Sequence, residues 1–181
     1  RLVSAYLALE DVDKVYSVGE KALELNPDNV DVLSVVAYAV PRRVNASELD
    51  APKKLQKLEQ YAKHAIEVLN DMEKPEGISE EEFTRAKNDK LSMAYSGLGI
   101  VNFHRQDFAG MSAALEQATK LSPSPDVSDL WLLGISYQAT RRFGEAATAF
   151  AKCAEVQWAY QDRCKQNKEQ SEKQAALQPK N

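Results

Sequence analysis

Histidine and cysteine are scarce in this sequence, and their spacing excludes the commonest metal and nucleophile chemistries. The two histidines, His64 and His104, stand 40 residues apart with no HExxH or His-x-x-x-His pattern, so no helix face presents two imidazoles to a metal. Cys153 and Cys164 are 11 apart and form no CxxC. On one continuous helix they would share a face about 16 Å apart, beyond the span of a disulfide. They are therefore expected as free thiols, with Cys153 filling a small core position; a chain that turned near Trp158 would let them approach. The redox compartment stays open on this count. No serine sits in a nucleophile elbow. Gly97-Leu98-Gly99 follows no strand and lies inside a helical pattern, so these are packing glycines rather than a phosphate loop. A catalytic site is not expected, and neither is a metal or cofactor.

Excess basic charge and long apolar runs are also missing. The 23 Lys and Arg against 27 Asp and Glu give a net charge of −4, which argues against a nucleic-acid binder. No apolar run approaches the roughly 18 to 20 residues of a membrane span. The first residue is Arg1, so an upstream segment is expected. The compartment reads as cytoplasmic, or as periplasmic or otherwise extracytoplasmic if a signal or anchor precedes Arg1. Asn45-Ala46-Ser47 is a glycosylation sequon that matters only in a eukaryotic secretory setting.

What the chain does have is a repeat. Leu98-Gly99, Phe108, Leu115 and Ala118 recur 35 residues later as Leu133-Gly134, Phe143, Phe150 and Cys153. Each unit reads as two apolar-striped helices joined by a short polar turn, and such a pair buries its face only against another copy of itself. Upstream, Val12, Val15, Ala22, Leu25 and Pro27 precede Phe108, Met111, Ala118, Leu121 and Pro123 by a constant 96. This places a helix end near Leu9 and a second helix over Val12 to Leu25. Val32, Leu33, Val36, Ala37 and Val40 mark a third helix stopped by Pro41. An insertion over Arg42 to Asp50 then precedes a helix carrying Leu55 to Leu69, with Pro52 tolerated in its first turn. Ser79 and Glu82 have capping-box spacing, opening a helix that runs without a breaker to about Arg105. Its extra first turns are expected to pack, burying Phe83. After Phe150 the apolar density falls, which suits a polar terminal helix, with fraying expected from about Lys173.

The last unit, with Trp131, Leu133-Gly134, Tyr137, Phe143, Ala146 and Phe150, resembles the tetratricopeptide repeat. Cys153 stands where that family has a small residue and Trp158 where Pro would close the unit. The preceding unit has Tyr95, Leu98-Gly99, Phe108, Leu115, Ala118, Leu121 and Pro123, and departs at Asn102 and Met111. The resemblance implies an all-α single domain, 1–181, forming a right-handed superhelix of antiparallel helical hairpins. About four repeats fall at 1–28, 29–72 with the insertion, 79–123 and 126–158, with a capping helix at 159–176.

In such proteins the first helices line a concave groove. Carried over by the register of Gly99 and Gly134, the groove residues are Ser34, Tyr38, Ser96, Ile100, Phe103, His104, Trp131, Ile135 and Gln138. The Lys-and-Asn clamp that some members use for a chaperone's C-terminal carboxylate is absent, its places holding Ser34, Tyr38, Gly97, Ser128 and Leu132. The resemblance thus implies a non-enzymatic scaffold that binds an apolar or helical peptide segment of a protein partner. The alternative is a self-associating structural subunit, its groove covered by its own long helix or, as a homodimer, by a second copy. Arg42, Arg43, Arg105, Arg141 and Arg142 end first helices. They complement helix dipoles there, or form an edge for an acidic partner.

Overall fold

The computed structural model describes residues 1–178. These form nine α-helices and one 3-10 turn: α1 (Leu2–Ala8), α2 (Val12–Leu25), α3 (Val30–Ala39), the turn Pro41–Arg43, α4 (Ala51–Asp71), α5 (Glu80–His104), α6 (Phe108–Leu121), α7 (Val127–Ala139), α8 (Phe143–Glu155) and α9 (Gln161–Leu177). No strand occurs among the described residues. The all-α expectation holds at this level.

Local sequence sets the helix starts. Asn29 Oδ1 accepts from Val32 N at 3.2 Å, and Asp107 Oδ1 from Gly110 N at 2.9 Å. Ser79 and Glu82 cap each other reciprocally. Each partnership satisfies backbone donors that have no acceptor inside the helix.

Three of the helix-to-helix turns are the same turn. Glu10, Gln106 and Arg141 adopt φ of 55°, 59° and 61°, a left-handed conformation that costs a side-chain-bearing residue about 1–2 kcal/mol. In each, the next amide reaches back five residues: Asp11 N to Tyr6 O, Asp107 N to Asn102 O and Arg142 N to Tyr137 O, at 3.0, 3.0 and 2.8 Å. The turns are 96 and 35 residues apart, the same offsets as the sequence repeat. Between α3 and α4 the turn is replaced by the Pro41–Arg43 turn and an exposed loop over 45–50, pinned by buried Val44.

Helix α5 packs against α3, α4 and α6, and the contacts then pass from α6 to α7, α8 and α9. A Cβ on Gly97 would stand inside the backbone carbonyl of Ala37, one on Gly99 would lie 2.5 Å from Leu115, and one on Gly134 2.6 Å from Phe150. These glycines let α3, α6 and α8 approach. One core joins α1 to α5 around Val15, Val36, Val40 and Leu58, and a second joins α6 to α8 around Met111, Leu115 and Phe150. Along the first turns of α5, Lys87 Nζ donates to Asn70 O at 3.0 Å, Lys90 pairs with Asp31, and Phe83 is half-buried. The extension is packed, as expected.

Two expectations are corrected. Cys153 and Cys164 are a disulfide, with Cα atoms 5.8 Å apart, because α8 ends at Glu155 and the chain reverses through Trp158 before α9 begins. Of the segment from Lys173, expected to fray, the residues to Leu177 are helical and Gln178 Nε2 donates to Arg141 O; 179–181 lie outside the described residues.

Candidate functional site

The candidate groove residues divide into two groups. On α3 and α5, several are turned into a polar clasp between helices. Tyr38 OH donates to Asp126 Oδ2 at 2.6 Å, and the guanidinium of Arg42 lies over the Tyr38 ring, 3.9 Å from its centroid. Arg42 also donates to Ser96 Oγ at 2.6 Å and to Asp129 Oδ1 at 3.0 Å, while Ser96 Oγ donates to Asp129 Oδ2. Residues 54 to 88 positions apart thereby tie α3, α5 and α7. A half-buried arginine needs such acceptors, because a partly desolvated cation without partners is costly.

The two aspartates respond differently to Arg42. Burial pushes the Asp129 carboxyl up to about 6, against the pull of Arg42 and Ser96. Burial acts in the same direction on Asp126, but the Tyr38 hydroxyl, Ser128 and Arg42 together hold it below the usual carboxylate range. Asp126 gains by accepting from Tyr38 and from both the amide and the hydroxyl of Ser128. Burial, then Asp126, pushes the Tyr38 phenol up to about 12.

Ser34 and Ile100 are buried, and Ser34 Oγ has no hydrogen-bond partner among the described residues. His104 is held by its Nε2–H, which donates to Pro41 O at 2.9 Å; a carbonyl can only accept, which fixes the tautomer. His64 also has a structural partner, with Nε2 2.7 Å from Asp28 Oδ1.

Toward the C-terminal half the side chains are more open. Phe103 is 42% exposed and meets the His104 ring edge-on at 5.9 Å. Half-buried Trp131 stacks on Tyr160 at 6.4 Å and meets Phe150 and Trp158 edge-on. Ile135 is half-buried, and Gln138 Nε2 donates to Ser171 Oγ on α9 at 2.9 Å.

The arginines do not form one free basic edge. Arg42 belongs to the clasp, Arg105 pairs with Glu59 at 2.6 Å, and Arg142 pairs with Glu116 and Glu145. Among the described residues, Arg43 and Arg141 are exposed and carry no ion pair. Sequence reasoning missed a hollow of about 400 Å³ on the other side of α7. Leu130, Leu133 and Ala149 line it, Glu116, Lys120 and Lys152 flank it, and Tyr137 OH donates to Glu116 at 2.9 Å. Leu133 and Tyr137 lie about half a turn round α7 from Trp131 and Ile135.

Among the described residues no group of three or more His, Cys, Asp or Glu side chains is placed to hold a metal ion, and no helix is long and apolar enough to cross a membrane. No protein-family model matches this chain, and neither a curated protein nor a solved structure matches it.

Proposed function

We propose that the chain is a non-enzymatic protein-interaction scaffold of the tetratricopeptide type, a right-handed superhelix that receives an apolar or helical peptide segment of a partner. The observation that carries this reading is the threefold recurrence of one left-handed turn, at Glu10, Gln106 and Arg141. Its spacings of 96 and 35 residues are those of the sequence repeat, which is what stacked copies of one helical pair require. With Tyr38, Arg42 and Ser96 engaged between helices, the receiving surface narrows to Phe103 and the Trp131–Ile135 side of α7. Aromatic side chains are common anchors for a helix laid in a groove, and Phe103 is the exposed one among these residues.

The test is fluorescence anisotropy with a panel of labelled amphipathic helical peptides, on the wild-type chain and on Phe103→Ser. Binding that Phe103→Ser weakens at least ~10-fold, with the melting temperature unchanged, supports the scaffold. Failure of every peptide to bind, or binding indifferent to Phe103→Ser, overturns it. The second reading, self-coverage, is favoured by one observation: the chain's own Tyr160 and Ser171 already meet Trp131 and Gln138.

A further inference from the structure

Helix α9 is held to the rest of the molecule by an unusual set of contacts. Its buried residues are Cys164 and Ser171, and its half-buried ones include Asn167, Lys168 and Ala175. These positions form one stripe at helical spacing, and that stripe is the inner face. It contains no large apolar side chain, so α9 brings little hydrophobic burial to its own docking. The helix runs closely along α8, but through small and polar side chains, and its side-chain hydrogen bonds to the rest of the described chain are Gln138 to Ser171 Oγ, Gln161 Nε2 to Ala154 O and Gln178 Nε2 to Arg141 O, each at 2.9 Å. In water such bonds exchange for solvent at small net gain. By contrast α8, which α9 covers, buries Ala146, Ala149, Phe150 and Cys153. The one covalent tie is Cys153–Cys164, which sits in a cluster with Leu130, Val127, Trp131 and Trp158. It therefore fastens both α9 and the aromatic linker beside Trp131.

We propose that the Cys153–Cys164 disulfide is a redox-operated clasp: oxidised, it holds α9 against α8 and the Trp131–Gln138 side of α7; reduced, it lets α9 and its linker detach and uncovers that side. The sulfurs are fully buried, so a reductant reaches them during local opening of α9, which the polar inner stripe makes accessible. The reductant is a dithiol. Its thiolate attacks one sulfur to give a mixed disulfide and releases the other cysteine as a thiolate. Its second thiolate then attacks the reductant's own sulfur in the mixed bridge. The dithiol leaves as a disulfide, and Cys153 and Cys164 are left as two protonated thiols. The closed form is the one that persists in an oxidising compartment.

The experiment is hydrogen–deuterium exchange on the full chain, equilibrated in glutathione buffers of graded potential or in dithiothreitol, with thiols counted by alkylation and mass. The oxidised chain is expected to show no alkylated thiol and a protected α9. The reduced chain should show two thiols and exchange across α9 at least ~10-fold faster, with α3 to α7 unchanged. Cys153→Ser combined with Cys164→Ser should reproduce the reduced pattern without any reductant. Three results would overturn the clasp: protection of α9 that survives reduction and the double substitution, free thiols in the oxidising buffer, or exchange rising throughout α3 to α7. The last would make the bridge a staple of the whole fold instead of a clasp on one helix.

Discussion

Gly97 and Gly144 show how one residue type carries opposite consequences. Gly97 lies where α5 crosses α3, and a methyl there meets the carbonyl of Ala37, a backbone atom that moves only if a helix moves. Gly144 sits in the first turn of α8 with open space around its absent Cβ. Gly97→Ala should lower the urea-unfolding free energy by about 2 kcal/mol, crowding outweighing the gain in helix propensity. Gly144→Ala should raise it by up to about 1 kcal/mol. Equal effects from the two would contradict the crossing. Asp129 gives a pH signature. Its folded-state value of about 6 lies above its ordinary 3.8, so between those values the folded chain holds the proton more tightly than the unfolded chain. The contribution is present in full below about pH 4 and is lost as pH rises through about 6, which at ~1.4 kcal/mol per pH unit is about 3 kcal/mol. Asn cannot ionise. The stability of wild type minus that of Asp129→Asn should therefore fall by about that amount between pH 4 and 7, and a flat difference would show that Arg42 fully offsets the burial. The sequence did not disclose this clasp. A charged side chain defaults to the surface, and the partners of Arg42 lie on other helices, up to 87 residues away.

At the scale of elements, the helix starts were legible because their signals are local. Asn29, Ser79 and Asp107 each bond an amide within three residues, and Pro41 stops α3 where the next amide is lost. The left-handed turns were not legible, since Glu10, Gln106 and Arg141 are neither Gly nor Asn; tertiary packing overrides local preference there. The reversal before α9 had no Gly or Pro to mark it, the linker reading Val156-Gln157-Trp158-Ala159-Tyr160. A straight helix through Glu155 left the cysteines far apart, and that geometric premise is what the structure corrects. The bridge closes a loop of sequence separation 11, for which loss of loop entropy in the unfolded chain corresponds to about 3 kcal/mol. Replacing both cysteines by serine should lower the free energy of opening α9, read from the exchange of its amides, by up to about that amount under non-reducing conditions. A loss below about 1 kcal/mol would show that the polar contacts of α9 suffice without the bridge.

On the scale of the whole molecule, the chain contains one turn used three times, glycine crossings that set helix approach, and one variant hairpin lengthened by an insertion. The candidate site was only partly legible. Phe103 is exposed and Trp131, Ile135 and Gln138 are half-buried beside the α9 linker and α9, whereas Tyr38, Ser96 and Ile100 belong to contacts between helices. Sequence register places side chains around a helix, but which neighbour fills the space opposite is a property of the assembled chain. The proposed receiving surface, with Phe103 exposed on it, takes another protein and is not shared with a second copy of the chain. Size exclusion coupled to light scattering tests this most directly, on the wild-type chain and on Phe103→Ser. One species near the chain mass of 20.2 kDa is expected for both. A species of twice that mass in the wild type, split into monomers by Phe103→Ser, would contradict it and make the surface a self-association face.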